Sequence, residues 1–441
     1  MKKVMAYLLK ELRKLGDDVI IDGTVSDDMQ VKFSNSEIVG TYTWHHASIS
    51  VFVNFGKRLV STALNEPTLS KARRLIKKIA ALARTAPENK EFVGIARGPF
   101  TYKPIRDGYD PLIARQDPSL IEDVVDALRY AKSRSIKRTA GVLETSSFQH
   151  SILSSADVDV QEKGTIIYFT LRAFKNKEAS GHHGGFARLR AGIDFRKIVD
   201  VAADIALKAG KPRNIPPGTY DVLFTPLAAA SILMHVGNAA SAFSVESGQS
   251  PYHDTLGKRV AGKAVTLYDD GTLKGGYHSS SFDEEGRPTQ RTKMIDKGML
   301  RTFLHNTSTA ARFKARPTGN AGIISPESTN IVLSPGKRSP EELLRSMKRG
   351  LYITNVWYTR FQNYHTGDFS TIPRDAAFLI EDGRIKHSVR NIRISENLLN
   401  IMKNLAETGN DPQPIIGWEA ETPCVTPHVL IRKVNITRPT K

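Results

Sequence analysis

The chain has 441 residues, of which 40% are hydrophobic and 24% are charged, as in an ordinary soluble globular protein. This length predicts two or three domains with hydrophobic cores of their own. The single cysteine, Cys424, excludes an internal disulfide framework, and no stretch approaches the roughly 18 apolar residues of a transmembrane helix. We therefore expect a cytoplasmic protein.

The chain is strongly basic, with 63 Lys and Arg against 45 Asp and Glu, a net charge of +18. Such a charge attracts nucleic acid, acidic lipid or acidic peptides. The basic residues are nevertheless spread along the whole chain. The densest cluster, "KARRLIKKIAALAR" at 71–84, alternates with apolar residues at helical spacing, which favours a solvated helix face over a dedicated polyanion site.

The first half predicts helices that flank an antiparallel sheet. The opening stretch "MKKVMAYLLKELRKLGDD" predicts an amphipathic first helix rather than a signal peptide, because Lys10 interrupts the apolar run. Four alternating runs, "DVIIDGTV", "MQVKFSN", "SISVFVNF" and "KRLVSTAL", predict strands before the basic helix at about 70–85. After an irregular stretch to about 116, a helix begins at Asp117, strands follow, and a further helix spans about 195–209.

A domain boundary is predicted in "KPRNIPPGTYDVLFTP" at 211–226, where two prolines and a glycine precede a new strand. We predict an α+β fold with an N-terminal α+β domain at 1–213, divisible into subdomains at about 1–112 and 113–213. Residues 214–441 predict a β-rich, barrel-like or sandwich domain, because short strands with Asp-Gly turns dominate. Helices are expected there only after the first strand and at about 339–349 and 395–408.

The histidines raise the question of a metal site. "HHGG" at 182–185 has adjacent histidines, but neighbouring side chains of an extended segment point in opposite directions. His235 lies in the apolar helix after "VLFTP", and Ala239 and Ala240 stand where a second helical ligand would be needed. The residues by themselves therefore disfavour a catalytic zinc held by this chain alone.

Two other chemistries are disfavoured. Cys424 and His428 lie four residues apart in a proline-flanked extended segment, roughly 13 Å end to end, which predicts a buried structural thiol rather than a nucleophile. The sequence also lacks the glycine-rich motifs of nucleotide-binding sites. Polar loops remain as candidate binding sites, namely "SSSFDEEGRPTQRT" at 279–292 and "HTGDFST" at 365–371.

The order of several motifs resembles the TldD/TldE (PmbA) family of peptidases. These are "GYHSSSFDEEGRPTQRTKMIDKGMLRTFLHNTSTAARF", "PTGNAG", "GLYITN", "HTGDFS", "AAFLIEDGRI" and "AETGND". They cover most of residues 218–441, and the likeness before the boundary is weaker. In that family the catalytic subunit carries HExxxH on the first helix of the C-terminal domain, and these histidines bind zinc together with a cysteine from near the C-terminus.

This chain departs from the zinc motif that the resemblance implies. The first ligand position is His235, whereas Val236 replaces the general base and Ala240 replaces the second ligand. The cysteine position falls near Gly417 and Trp418. The resemblance is therefore closer to the TldE/PmbA-like subunit, so that His235 is a remnant, no metal is expected in this chain, and zinc is expected in a partner subunit.

The resemblance further implies an assembly, either a heterodimer with a TldD-like catalytic subunit or a homodimer, that acts on unfolded peptides. Candidate peptide-binding residues lie in the two polar loops: His365, Thr366, Gly367, Asp368, Phe369, Ser370, Asp283, Glu284 and Glu285. One alternative is an active hydrolase with a divergent site made from His235, His253 and Asp254 or from the acids at 283–285. Another is a peptide- or nucleic-acid-binding protein that has lost catalysis, although nucleic acid is disfavoured because no stacking aromatics interleave with the basic clusters.

Overall fold

The computed structural model describes residues 1–438, and it confirms the α+β class. Within these residues the helices are α1 (Lys2–Leu12), α2 (Leu69–Thr85), α3 (Pro111–Ala114), α4 (Ser119–Ser133), α5 (Phe195–Lys208), α6 (Pro226–Ala239), α7 (Ala242–Glu246), α8 (Thr307–Arg312), α9 (Pro340–Arg345) and α10 (Leu398–Lys403). None of them is both long and apolar enough to span a bilayer.

The first sheet is antiparallel and has the order β3-β2-β1-β4-β5-β6. Its strands are β1 (Asp18–Ser34), β2 (Glu37–Phe55), β3 (Arg58–Asn65), β4 (Arg138–Ser154), β5 (Asp159–Phe174) and β6 (Ser180–Ala187). Two of the runs predicted as separate strands, "DVIIDGTV" and "MQVKFSN", belong to the single strand β1. The polar Ser26, Asp27 and Asp28 between them stay paired with β2, because neither glycine nor proline breaks the ladder there.

The two faces of the first sheet have different surroundings. Alternate residues of β5, such as Phe169 and Leu171, are fully buried with residues of α4 and α5 in one hydrophobic core. Helices α1 and α2 pack on the same side of the sheet, against β1, β2 and β3. The β5 side chains that alternate with Phe169 and Leu171 are those of Tyr168, Thr170 and Arg172. They are half-buried on the opposite face of the sheet, which lies against the second half of the chain.

The second half forms two further sheets. One has the order β10-β9-β8-β11-β20-β19, and the other runs β13-β14-β17-β21-β7-β12-β15-β16, with β18 paired to β21. The strands are β7 (Gly218–Phe224), β8 (Leu267–Asp270), β9 (Arg291–Asp296), β10 (Met299–Leu300), β11 (Ile331–Leu333), β12 (Arg349–Ile353), β13 (Val356–Asn363), β14 (Asp368–Pro373), β15 (Ala377–Glu381), β16 (Arg384–Val389), β17 (Arg393–Asn397), β18 (Leu405–Thr408), β19 (Gln413–Gly417), β20 (Ala420–Thr426) and β21 (Val429–Thr437). Among residues 1–438 no sheet closes on itself, so the barrel-like expectation gives way to open sheets.

Both late helices are shorter than expected. Helix α9 begins with a capping box between Ser339 and Glu342 and ends at Arg345, because Arg349 already starts β12. The segment at 395–408 holds only the six-residue α10 between β17 and β18. In both places the strand that follows has a pairing partner, and that tertiary pairing overrides the helical periodicity.

Candidate functional site

Helix α6 places His235 beside the hairpin formed by β13 and β14. Thr225 caps the helix by accepting a hydrogen bond from the Ala228 N–H, and residues 226–233 are all buried. The His235 ring lies 4.9 Å from the Phe361 ring, centroid to centroid. Burial, with a smaller contribution from the Arg360 charge, lowers the pKa of His235 to about 4, so the imidazole is neutral at pH 7.

The positions next to His235 offer no metal ligand. Val236 and Ala240 are each 1% exposed and belong to the main hydrophobic core of the second half. Gly417 and Trp418, at the place where the resemblance implies a cysteine, supply no thiolate. Only His235 in this set has a donor atom, so these residues do not fit a zinc ion. Nowhere in the described chain do three His, Cys, Asp or Glu side chains come together as metal ligands.

The loop predicted to bind peptide at 365–370 lies close to His235. Phe361 connects the two, because its ring also packs against Phe369 at a centroid distance of 5.5 Å. The Asp368 carboxylate accepts hydrogen bonds from Thr366 Oγ1 at 2.5 Å and from Asn397 Nδ2 at 2.9 Å, which lower its pKa. The polar groups of this loop therefore largely satisfy one another.

The remaining members of the loop at 365–370 have fixed positions as well. The His365 ring stacks on the His253 ring at 4.3 Å, and Gly367 adopts a left-handed conformation with φ of 81°. Ser370 accepts a hydrogen bond from Gln362. The structure thus brings together His235, His253 and this loop, whereas the acids at 283–285 lie elsewhere.

The carboxylates of those three acids accept hydrogen bonds from backbone N–H groups. Asp283 accepts hydrogen bonds from the N–H groups of Ala321 and Arg287 at 3.0 and 2.9 Å. Glu284 accepts one from Ile323 at 2.8 Å, and Glu285 accepts from the N–H and the hydroxyl of Thr307. Burial raises the pKa of all three, that of Glu284 to about 7.

A cavity of about 630 Å³ lies between the first sheet and the second half of the chain. Strands β4 and β5 contribute one wall, on which Glu144, Tyr168 and Arg172 project. The opposite wall includes Trp357 and Trp418. Trp418 sits at the tip of the β19–β20 hairpin and is 81% exposed, so its ring is available to a ligand.

Edge strands of all three sheets meet at this cavity. Strand β6 contributes His182, β13 contributes Trp357, and β19 contributes Ile416 and Gly417. Since edge strands carry unpaired backbone N–H and C=O groups, an extended peptide in the cavity would have backbone partners within reach.

A buried polar network joins the two halves beside the cavity. Arg172 pairs with Asp375 at 2.8 Å between Nε and Oδ1, and Asn355 Nδ2 donates to both Asp375 and His182. His182 completes the network through Thr170, with 2.7 Å between Nε2 and Oγ1. This pattern assigns the hydrogen to Nε2 of a neutral His182, in agreement with burial, which lowers the pKa of this imidazole.

Asp375 stays ionised in this network. Burial acts to raise its pKa, but the Arg172 charge and the hydrogen bonds from Asn355 and Ser180 outweigh that effect and hold the pKa below its usual value. Trp357 lies under the Arg374 guanidinium at 3.7 Å and near that of Arg172 at 5.1 Å. This wall of the cavity therefore combines an aromatic ring with two guanidinium groups.

A second cavity of about 330 Å³ adjoins the first and shares Tyr277 and His278 with it. His150 lies 3.1 Å from Asp22 at its edge, and Asp283 and Glu284 line it. Together the two cavities follow β4 from Ala140 to His150, a rise of roughly 33 Å at strand spacing. A trough of this length could accommodate an extended peptide.

Sequence reasoning missed most of this trough. It singled out His182 but not Arg172, Asn355, Trp357 or Asp375. One signal was present, because Tyr168, Thr170 and Arg172 alternate with apolar residues in "GTIIYFTLRAF" and mark a solvent-accessible strand face.

Cys424 takes no part in the site. Its thiol is fully buried, and burial raises its pKa far above the usual range. The His428 ring instead contacts Asp411, at 2.8 Å, and the Tyr352 hydroxyl, at 3.2 Å. The prediction of a buried structural thiol is confirmed.

The comparisons with known proteins agree on one family. A family model described as the PmbA/TldA metallopeptidase C-terminal domain matches residues 217–438, just over half of the chain. A metalloprotease of Methanocaldococcus jannaschii is 26% identical over 436 residues, covering 93% of both chains. The metalloprotease PmbA of Escherichia coli O157:H7 is 30% identical over 226 residues, which are 50% of this chain and 48% of PmbA.

A solved structure shares the whole fold. The crystal structure of TldE from Thermococcus kodakarensis superimposes with a TM-score of 0.87 and covers 98% of this chain and 100% of TldE. The sequences are 22% identical, so this likeness concerns the fold.

Proposed function

Because this chain belongs to the PmbA/TldD metallopeptidase family, we propose that it is the subunit without zinc of a heteromeric peptidase. In this role it holds an unfolded peptide in the trough while a partner subunit supplies the zinc and the general base. The observation that carries the proposal is the chemistry around His235. The family's base and second-ligand positions are the buried, apolar Val236 and Ala240, which can neither bind a metal nor accept a proton.

The trough supports the choice of an unfolded peptide as substrate. It offers edge strands for backbone hydrogen bonds, which are independent of peptide sequence, and exposed or half-buried aromatic rings for side chains. The chain's own residues then bind and orient the peptide, and the network of Arg172, Asp375 and His182 supports the cavity wall.

The first experiment isolates the chain gently from its own cells and measures mass and metal content on the same sample by native mass spectrometry. We expect a complex with a second chain of similar size and about one zinc per pair. Peptide hydrolysis should require both chains. A zinc-loaded homodimer with activity would overturn the proposal and favour the divergent hydrolase built from His235, His253 and Asp254.

Peptide binding by the chain itself gives an independent measurement. A fluorescein-labelled unfolded peptide should bind the purified, metal-free chain, and binding should weaken in Trp418→Ala. Absence of any peptide binding, together with normal folding, would contradict the role assigned to the trough.

A further inference from the structure

The second cavity of the trough has more acids than its own cations can neutralise. Four acidic residues line this cavity of about 330 Å³, whereas Arg188 is the only lysine or arginine among the described residues that do. The Arg188 guanidinium already donates to the carbonyls of Tyr277 and Ser279, at 3.3 and 3.0 Å. A fifth carboxylate, that of Asp22, lies 3.1 Å from His150 at the edge of the cavity and offsets any charge on that ring. The local charge is therefore negative, although that of the whole chain is +18.

Two of the four acids have free carboxylate oxygens. Glu162 and Asp283 accept hydrogen bonds from neighbouring serine and backbone N–H groups. Glu284 uses Oε2 for the Ile323 N–H, and its other oxygen has no hydrogen-bond partner among the described residues. Glu327 lines the cavity with an exposed side chain that forms no hydrogen bond or ion pair in the described part of the chain. Glu284 and Glu327 are thus available to bind a cation.

The electrostatic environment of Glu284 favours an incoming cation. Burial, followed by the negative charges of Asp22 and Glu327, raises the pKa of Glu284 to about 7. Since Glu327 acts on Glu284 in this way, the two free carboxylates lie close enough to repel each other. A cation between them would relieve this repulsion and hold Glu284 in its charged form.

A buried amide points to the same kind of ligand. Asn320 lines the cavity and is only 3% exposed. Its Nδ2 donates to Asp269 Oδ1 at 2.6 Å and to the Glu327 carbonyl at 2.9 Å, which fixes the orientation of the amide. Its Oδ1 is left without a donor in the described part of the chain. A buried acceptor without a partner is costly, and an N–H group of a ligand in the cavity would satisfy it.

The apolar wall of the cavity suits an aliphatic stem. Phe148, Ile166 and Phe282 contribute to this wall. Lysine and arginine carry a charged head on such a stem, which they pack along apolar surface. Because the cavity shares Tyr277 and His278 with the larger one, a peptide in the trough can place one long side chain in it.

We propose that the second cavity is a subsite for a lysine or arginine side chain of the bound peptide, with Glu284, Glu327 and Asn320 as its acceptors. This inference rests on the proposed peptide-binding role of the trough and adds a preference for basic residues to it. The preference runs against the charge of the whole chain, because +18 repels a basic peptide at long range and attracts an acidic one. A preference for a basic residue can therefore come only from the local acids.

Three labelled peptides test the subsite. Each has about ten residues, the length of the trough, and they differ only at a central position, which is arginine, citrulline or glutamate. Citrulline has the shape of arginine without its charge. By fluorescence anisotropy we expect the arginine peptide to bind the purified, metal-free chain about tenfold more tightly than the citrulline peptide, and the glutamate peptide to bind most weakly. Equal affinity of the arginine and citrulline peptides, or tightest binding of the glutamate peptide, would overturn the subsite.

Single substitutions locate the preference. Glu284→Gln removes the charge but keeps the acceptor for the Ile323 N–H, and Glu327→Gln changes an exposed side chain, so both variants should fold. We expect each of them to reduce the ratio of arginine to citrulline affinity about fivefold or more. The control Glu178→Gln, which removes an exposed acid outside the cavity, should keep the ratio of the unmodified chain. An unchanged ratio in both cavity variants would show that these acids are not the acceptors.

The outcomes separate this subsite from the proposed function. If the arginine and citrulline peptides bind equally and Trp418→Ala weakens both, the trough binds peptide and the subsite is wrong. If no peptide binds, both proposals are overturned.

Free N-acetylarginine amide tests whether the cation belongs to a peptide. It should displace the labelled arginine peptide only at about a hundredfold higher concentration, because it lacks the contacts along the trough. Displacement at an equal concentration would mean that the cavity binds a small cation rather than a peptide side chain.

Discussion

At the scale of single residues, the chemistry of this chain is decided by which groups are buried with a partner. Arg172 and Asp375 are paired, and the Asp375 side chain is only 1% exposed. His235 is half-buried without a charged partner and stays neutral. A buried charge is tolerated only when it is compensated. Stability should therefore depend on substitution at Arg172 and on pH through His235.

Loss of Arg172 should be costly. Arg172→Met leaves the Asp375 carboxylate buried with only its neutral hydrogen-bond donors, and we expect a loss of about 3 kcal/mol in the free energy of unfolding. Chemical denaturation at pH 7 measures it. The double variant Arg172→Met/Asp375→Asn, which removes both charges, should recover part of the loss, and full additivity of the two single changes would contradict the pairing.

His235 should make the protein less stable in acid. The unfolded imidazole takes up a proton near pH 6.5, whereas the folded one does so only near pH 4, so stability falls as the pH decreases between these values. Relative to His235→Leu, the unmodified chain should lose up to about 3 kcal/mol by pH 4. If the proposed role is correct, His235→Leu should change the rate of peptide hydrolysis by the complete complex less than about twofold.

At the scale of elements, the loops of the second half are held by carboxylates that bind backbone N–H groups. The turn at 283–286 is fixed in this way to the segments at 307 and 321–323. Likewise the Glu419 carboxylate accepts hydrogen bonds from the N–H groups of Tyr358 and Thr359, which pins the β19–β20 hairpin tip to β13. These contacts position Trp418 over the cavity.

Glu284 should weaken the fold as the pH rises from mildly acidic to neutral. Its pKa is about 7 in the folded state against 4.5 in the unfolded state, so the folded state holds the proton longer and stability decreases as the pH rises from 4.5 to 7. Glu284→Gln should remove this decrease, up to about 3 kcal/mol, while its amide oxygen still accepts from Ile323. The exposed Glu178→Gln should leave the pH profile unchanged.

The hairpin tip should contribute to binding rather than to stability. Trp418→Ala should change the free energy of unfolding by less than about 0.5 kcal/mol but weaken peptide binding roughly tenfold, since aromatic anchors contribute strongly to interfaces. Fluorescence anisotropy with the labelled peptide measures the affinity. Leu256→Ala, at a residue of 52% exposure elsewhere, is the control and should not affect it.

At the scale of the whole molecule, the two halves share a core as well as a polar network. Phe282 of the second half is buried with Ile20, Phe52 and Ile152 of the first sheet. Glu162 of β5 accepts hydrogen bonds from the Ser281 N–H and hydroxyl. The division into domains at 1–213 and 214–441 stays a prediction. The contacts between the two halves bear on whether they unfold separately or together.

We expect the two halves to unfold together. Trp44 reports on the first sheet and Trp357 and Trp418 on the second half, so Trp44→Phe and Trp357→Phe/Trp418→Phe isolate the two signals. Their thermal transitions should coincide with each other and with far-UV circular dichroism at one protein concentration. Transitions separated by several degrees would show that the interface does not couple the halves.

Residue type and local pattern were sufficient to predict the features that depend on neighbouring residues. The α+β class, the run of family motifs and the absence of donor groups at Val236 and Ala240 follow from local pattern and residue type. Which distant side chains meet follows only from the packing of the folded chain. Arg172 and Asp375 are 203 residues apart, and Asp283 and Glu285, which the local composition places in an exposed polar loop, are buried by the fold. Burial and pairing depend on long-range packing, and local periodicity carries no information about the partner.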